Sequence, residues 1–356
     1  MTAGSSYRIG IVGASSLAGK ELGEAVAESM LAAFEVVLLD DEDAAGQIAA
    51  SGDEATFIQK LEADSFAGTD FVFFVGDAAT TRKYWKAARL AGASIVDMTY
   101  ALEMEAGVVV RGPWAVVSAA VPAEGQSDLR AREPDLTTPA VVAAHPAALM
   151  LVSIANRLHA KFPVRAMSAT LFEPASQHGR AAMDELHQQT VSLLSFQSLP
   201  REQYDAQVAF NVLPSLGDAA KVKLGETRER VLDHYAALSA GVAPELALQL
   251  VQAPVFHGYV ASALVELQGS ATTEQMELAA YGEHVDVVGA ESDPPSNLSA
   301  AGQPDILVRI SSASPGEGVS SRFWIWMASD NLKLAALNAI ACANELRRLR
   351  PQGKVQ

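Results

Sequence analysis

The chain has 356 residues, 49% of them hydrophobic and 19% charged, with a formal net charge of −16. That composition excludes a disordered or fibrous chain, and 26 Lys and Arg against 42 Asp and Glu argue against nucleic acid or an anionic membrane as partner. The length predicts two domains, since single cores stop growing at about 250–300 residues.

No run of 18 or more apolar residues occurs, and Met1-Thr2-Ala3-Gly4-Ser5-Ser6 lacks the basic start of a signal peptide. A cytoplasmic protein is the expectation. Cys342 is the sole cysteine, so neither an intrachain disulfide nor a cysteine metal cluster is possible, and no metal is expected.

Tyr7 to Gly13 reads as a strand, followed by the small-residue turn Ala14-Ser15-Ser16-Leu17-Ala18-Gly19 and a helix with Ala18, Leu22, Val26 and Met30 at i+4 spacing. A strand, a turn rich in Gly and Ser, and a helix N-terminus together hold a pyrophosphate through backbone N–H groups. Gly13, Ser15, Ser16, Leu17, Ala18 and Gly19 are the candidate cofactor residues, with Ser15 or Ser16 as helix cap. The spacing Gly13 to Gly19 is not the common G-x-G-x-x-G, and a tight turn that binds nothing is the alternative.

Val36–Leu39 reads as the second strand and ends in Asp40-Asp41-Glu42-Asp43. An acid at that place accepts a ribose 2′-hydroxyl in dinucleotide folds. Asp40, Asp41 and Asp43 would repel a 2′-phosphate, which favours NAD over NADP; a solvated acidic loop is the alternative. Further strands are expected at Phe71–Val75, Ser94–Asp97 and Ala140–Ala144, with a helix over Thr80–Ala91 and a possible extra strand at Ala115–Val121. Strands alternating with helices predict a doubly wound parallel sheet.

Val142 to Met150 closes an apolar run, turns at Pro146 and opens a helix. Such a strand-to-helix handover is where enzymes often place a nucleophile or bind an anion. Here it holds Ala147 and Ala148. From about residue 151 the pattern changes: a strand over Val164–Phe172, helices over Arg180–Leu194 and Ala219–Ala240, then long strands at Gln252–Leu267, Asp305–Ile310 and Val319–Ser329. Long strands with few helices predict an α+β unit. Phe323, Trp324, Ile325 and Trp326 put apolar side chains on both faces of one strand, so a second subunit covering the outer face, a homodimer, is expected. A last helix follows Asp330-Asn331-Leu332 to about Arg347 and returns to the first domain, with Cys342 as a buried small residue. The domains are expected at 1–145 with 330–356, Rossmann-like and dinucleotide-binding, and at 146–329, for substrate and dimerisation.

Seven segments, in order, resemble aspartate-semialdehyde dehydrogenase: Gly13–Gly19, Ala44-Ala45-Gly46, Ile95-Val96-Asp97, Ala181-Ala182-Met183-Asp184-Glu185-Leu186, Phe210-Asn211-Val212-Leu213-Pro214, Pro254-Val255-Phe256 and Ser329-Asp330-Asn331-Leu332. The resemblance implies the family's α/β fold, a homodimer, a place in amino-acid biosynthesis and the reductive dephosphorylation of aspartyl phosphate with NADPH through a cysteine thioester. That chemistry needs a low-pKa thiolate, a base beside it and cationic clamps.

Matched motif by motif, these roles are missing. The nucleophilic cysteine falls on Ala148, the glutamine after an aromatic residue on Glu173, and the catalytic histidine on Tyr259. The substrate arginine falls on Gln252 and the phosphate-binding arginine on Glu103, a reversal of charge. The family's Glu and Lys before Glu226-Thr227-Arg228 fall near Ala219, Ala220 and Val222, one step from Lys221 and Lys223. Its NADP-contacting arginine falls on Asp43. Asn331 lies in the segment that approaches the nicotinamide in the family, here one residue shorter and without the glycine.

The sequence thus predicts a degenerate paralogue, inactive in the family reaction, that keeps fold and dimer and binds NAD or another small molecule. The alternative is an enzyme of different acid–base or metal-assisted chemistry in the same cleft, built from His145, Glu173, His178, His257 and Tyr259. A structural dimer without ligand is a third reading.

Overall fold

The computed structural model describes residues 7–33, 35–51, 54–115, 133–239, 241–314 and 318–349. The chain divides into two compact units. One comprises residues 1–113, 125–144 and 335–356, the other 114–124 and 145–334.

The first unit is built on β1 (Arg8–Val12), α1 (Leu17–Ala27), β2 (Glu35–Asp40), β3 (Ile48–Ser51), β4 (Glu54–Phe57), β5 (Gln59–Lys60), β6 (Phe71–Phe74), α2 (Ala78–Leu90), β7 (Ser94–Asp97), β8 (Val109–Arg111) and β9 (Val141–Ala143). Seven strands form one sheet in the order β5-β2-β1-β6-β7-β9-β8, every neighbouring pair parallel. The central strands are buried on both faces, which explains why they read as continuous apolar runs: all four residues of β6 are buried, whereas the edge strand β5 is exposed. Ile9, Ile11, Phe71, Phe73 and Val96 pack with Leu22 and Val26 of α1. Met30 departs from the expected helix: α1 ends at Ala27, and Met30 lies in a 3₁₀ turn, 69% exposed. The β3–β4 hairpin stands apart from the sheet. Of the strand expected at Ala115–Val121, residues 116–121 lie outside the described residues.

The second unit contains α3 (Pro146–Lys161), β10 (Val164–Glu173), α4 (Arg180–Leu194), α5 (Leu224–Ser239), β11 (Leu246–Gln252), β12 (Tyr259–Ala271), α6 (Thr273–Ala280), β13 (Val285–Val287), α7 (Asn297–Ala300), β14 (Ile306–Ser312) and β15 (Ser320–Ser329). Its mixed sheet has the order β11-β10-β12-β15-β14-β13. β10–β11 and β13–β14 pair in parallel, and the remaining neighbours are antiparallel. Along β15, Phe323 and Ile325 are buried while Trp324 and Trp326 are 47% and 36% exposed, so one face is core and the other is open within the chain.

The helix α8 (Asn331–Arg348) starts in the second unit and from Ala335 belongs to the first. There Ala336, Ala339, Cys342 and Ala343 join the core, and buried Arg111 of β8 reaches Glu345 through Nε at 2.9 Å.

Two further elements differ from the sequence expectation. The long strand over Gln252–Leu267 is two strands: β11 stops at Gln252 and β12 starts at Tyr259. Pro254 has no N–H for a ladder, and Gly258 turns the chain at φ +86°, where a Cβ would lie 2.9 Å from the Asn297 carbonyl. The helix expected from Ala219 starts at Leu224, because Asp205 holds the preceding turn through the Ala219 N–H at 3.0 Å.

Candidate functional site

In the first unit the turn after β1 is shaped by two glycines. Gly13 has φ +91°, and a Cβ there would lie 2.3 Å from the Gly76 nitrogen; one on Gly19 would lie 2.3 Å from the Gly13 carbonyl. Backbone therefore packs on backbone, as a phosphate cradle requires. Ser16 caps α1, its Oγ accepting from the Gly19 N–H at 3.0 Å. Asp40 carries the turn: its Oδ2 accepts from the Ser15 N–H at 2.8 Å. Helix geometry leaves the first-turn N–H groups of Leu17 and Ala18 without intrahelical acceptors. Gly13, Ser15, Ser16, Leu17, Ala18, Gly19 and Asp40 are thus brought together, and the residues fit a dinucleotide. Asp41, Glu42 and Asp43 are exposed beside them.

Glu103 also lies in the first unit, in the turn after β7. Its charge bears on Asp97, whose carboxyl is pushed up mainly by burial, against the pull of hydrogen bonds from Thr99 and Leu102.

In the second unit the ends of four neighbouring strands form one buried row. Gln252 and Glu173 are register partners at the ends of β11 and β10. Phe172 pairs with Val260, so the next step of that antiparallel ladder sets Tyr259 beside Glu173. Tyr259 in turn pairs with Ser329 at the end of β15. Gln252, Glu173 and Tyr259 are 0% exposed and Ser329 is 1% exposed. The Glu173 Oε1 lies 2.8 Å from the His178 Nε2, in the 3₁₀ turn that follows β10. Gln252 donates from Nε2 to the Glu173 and Ala253 carbonyls at 3.0 and 3.1 Å.

α3 closes on this row. His145 is its N-cap: Nδ1 accepts from the Ala147 N–H at 3.3 Å, and the His145 main-chain N–H donates to Nδ1 of His234 on α5 at 2.9 Å. Its ring lies 6.2 Å from that of Tyr259, and Ser329 Oγ contacts the Met150 sulfur at 3.3 Å. Burial, then His234, Arg230 and His178, hold the His145 imidazole well below the usual histidine value of 6.5. Ala148, one turn into the helix, is 0% exposed and presents a methyl group.

Asn331 is buried and accepts at Oδ1 from Ser176 Oγ and the Gly258 N–H, both at 3.1 Å, while Nδ2 faces Gln177 Oε1 at 3.4 Å. It ties together the two turns beside the strand-end row. His257 contributes its carbonyl, which accepts from Asn297, and its side chain is half-buried. Sequence reasoning missed Gln177, which meets His145 at 3.2 Å, and His234. Only His234 had a signal: Val231, Tyr235 and Leu238 place it on the buried stripe of α5. Among the described residues no group of three or more His, Cys, Asp or Glu is arranged to hold a metal, and no helix is long and apolar enough to cross a membrane.

The profile of the semialdehyde dehydrogenase NAD-binding domain matches residues 8–134, and that of the semialdehyde dehydrogenase dimerisation domain matches residues 156–334. The chain belongs to the semialdehyde dehydrogenase family. A USG-1 protein homolog of Pseudomonas aeruginosa is 28% identical, over 93% of this chain and 95% of its own. The aspartate-semialdehyde dehydrogenase of Rickettsia bellii is 23% identical over 96% and 97%. Among solved structures, a probable aspartate-semialdehyde dehydrogenase from Pseudomonas aeruginosa superposes with a TM-score of 0.82 at 23% identity, covering 97% of this chain and 99% of that one. Aspartate semialdehyde dehydrogenase II of Vibrio cholerae, complexed with ASA, gives 0.82 at 20% identity, covering 98% and 100%. The parallel sheet of the first unit and the mixed sheet of the second are the semialdehyde dehydrogenase fold.

Proposed function

We propose that this member of the semialdehyde dehydrogenase family does not carry out the reductive dephosphorylation of aspartyl phosphate and retains the fold, the homodimer and dinucleotide binding. One observation carries the reading: at the head of α3, where the motif match puts the nucleophile, Ala148 offers a buried methyl group. A methyl cannot attack a carbonyl. The sole thiol, Cys342, is buried in the core of the first unit, and burial pushes its pKa up, away from the reactive thiolate.

The turn at Gly13–Gly19 supports dinucleotide binding, with Leu17 and Ala18 toward the pyrophosphate and Asp40 toward the ribose; when bound, the cofactor supplies hydride chemistry. The exposed Asp41, Glu42 and Asp43 favour NAD over NADP. The half-exposed Trp324 and Trp326 on the open sheet face, in the segment matched by the dimerisation domain, support a homodimer. Purified protein given aspartate semialdehyde, phosphate and NAD or NADP is expected to show no reduction of the dinucleotide. Turnover above the enzyme-free rate overturns the reading.

A second reading is different acid–base chemistry in the same unit. The carboxylate–imidazole contact of Glu173 and His178 at 2.8 Å favours it, since such a pair orients a proton-accepting ring.

A further inference from the structure

Two side chains of the strand-end row carry acceptors that meet no donor among the described residues. Gln252 has its amide orientation decided, because Nε2 donates to two main-chain carbonyls, and this leaves Oε1 as the remaining acceptor. Oε1 has no hydrogen-bond donor among the described residues. Among the described residues the Glu173 carboxylate meets His178, through Oε1, and its Oε2 has no donor. Both side chains are 0% exposed and sit side by side at the same register position of adjacent parallel strands, so they project from the same face.

Two buried acceptors without donors are costly, and a buried carboxylate more so. A group that satisfies both and also balances the carboxylate is a compact cation carrying several N–H groups. An ammonium has three and no acceptor. A carboxylate or phosphate would instead meet like charge. His178, 15% exposed, is the member of the cluster that reaches solvent.

We propose that Glu173 and Gln252 form a binding site for the primary ammonium group of a small molecule. The inference rests on the reading above in that this row no longer serves the family reaction; the dehydrogenase assay tests that separately, so turnover there and failure to bind here are distinct results.

The test is calorimetric titration of the purified full-length protein with n-butylammonium, and with butyrate and butanol as anionic and neutral probes at matched ionic strength. Saturable binding of butylammonium alone is expected, weakened at least about tenfold by Glu173→Gln and several-fold by Gln252→Met. Thermal melts of the ligand-free variants separate this from a structural role. A ligand site predicts an unchanged or raised Tm for Glu173→Gln, because a buried carboxylate whose Oε2 lacks a donor is replaced by a neutral amide. Absence of saturable butylammonium binding, equal binding of butanol, or binding unaffected by both substitutions overturns the proposal. A lowered Tm of Glu173→Gln with no ammonium binding by the unsubstituted protein would identify Glu173 and His178 as a structural pair and overturn it as well.

Discussion

The main-chain N–H of His145 donates to Nδ1 of His234 at 2.9 Å, while Nδ1 of His145 itself accepts from the Ala147 N–H. Both bonds need an unprotonated Nδ1, so the start of α3 depends on neutral imidazoles. The folded pKa of His145 lies below its unfolded value of 6.5, so the unfolded chain binds more protons as pH falls below that value. This contribution is whole above pH 6.5 and is lost on acidification, by at most about 1.4 kcal/mol per pH unit. Melting temperatures from pH 7.5 to 5 are expected to fall less steeply for His145→Asn, which keeps a good helix cap. Identical pH profiles would contradict the assignment.

Restoring the thiol is not expected to restore the reaction. Ala148→Cys adds a nucleophile at a fully buried position, yet Glu173, Gln252 and Tyr259 still stand where the motif match puts the amide, the arginine and the histidine. The phosphate-dependent assay is expected to stay at background for this variant. Recovery of turnover by the single change would show that the rest of the site is intact.

Gly13→Ala forces a Cβ to within 2.3 Å of the Gly76 backbone at a left-handed φ. A cost of about 1–3 kcal/mol follows from strain of this kind, with loss of NADH binding measured by fluorescence titration. Unchanged Tm and affinity would remove the close-packed turn from the cofactor argument.

Charge beside β2 sets the cofactor preference. In Asp43→Arg an exposed acid becomes a cation, and NADPH affinity relative to NADH is expected to rise several-fold at low salt, the gain shrinking as salt is added. NADPH binding tighter than NADH before any substitution would refute the use of Asp40, Asp41 and Asp43.

The open face of the mixed sheet is expected to bury Trp324 between two copies. Trp324→Arg places charge within an apolar contact and is expected to halve the mass seen by light scattering without lowering the helix content of the monomer. A monomeric unsubstituted protein would exclude this interface.

Much of the architecture was legible in the residues, because burial imposes periodicity. Continuous apolar runs such as Phe71–Phe74 mark strands covered on both faces, alternation through Val164–Glu173 marks a strand covered on one, and the small-residue turn at Gly13–Gly19 allows only backbone contact. The alanine at position 148 was likewise visible in the chain, since an absent thiol is a property of one residue. What the linear pattern could not convey was any relation between distant residues. The break between Gln252 and Tyr259 depends on Gly258 passing Asn297, and the place of Asn331 among Ser176, Gln177 and Gly258 depends on two turns meeting. Glu173 and Gln252, 79 residues apart, become a pair of buried acceptors only because β10 and β11 run in parallel and end at the same level. Side-chain type is written in the sequence; whether its hydrogen-bonding capacity is met is decided by the neighbours that folding brings to it.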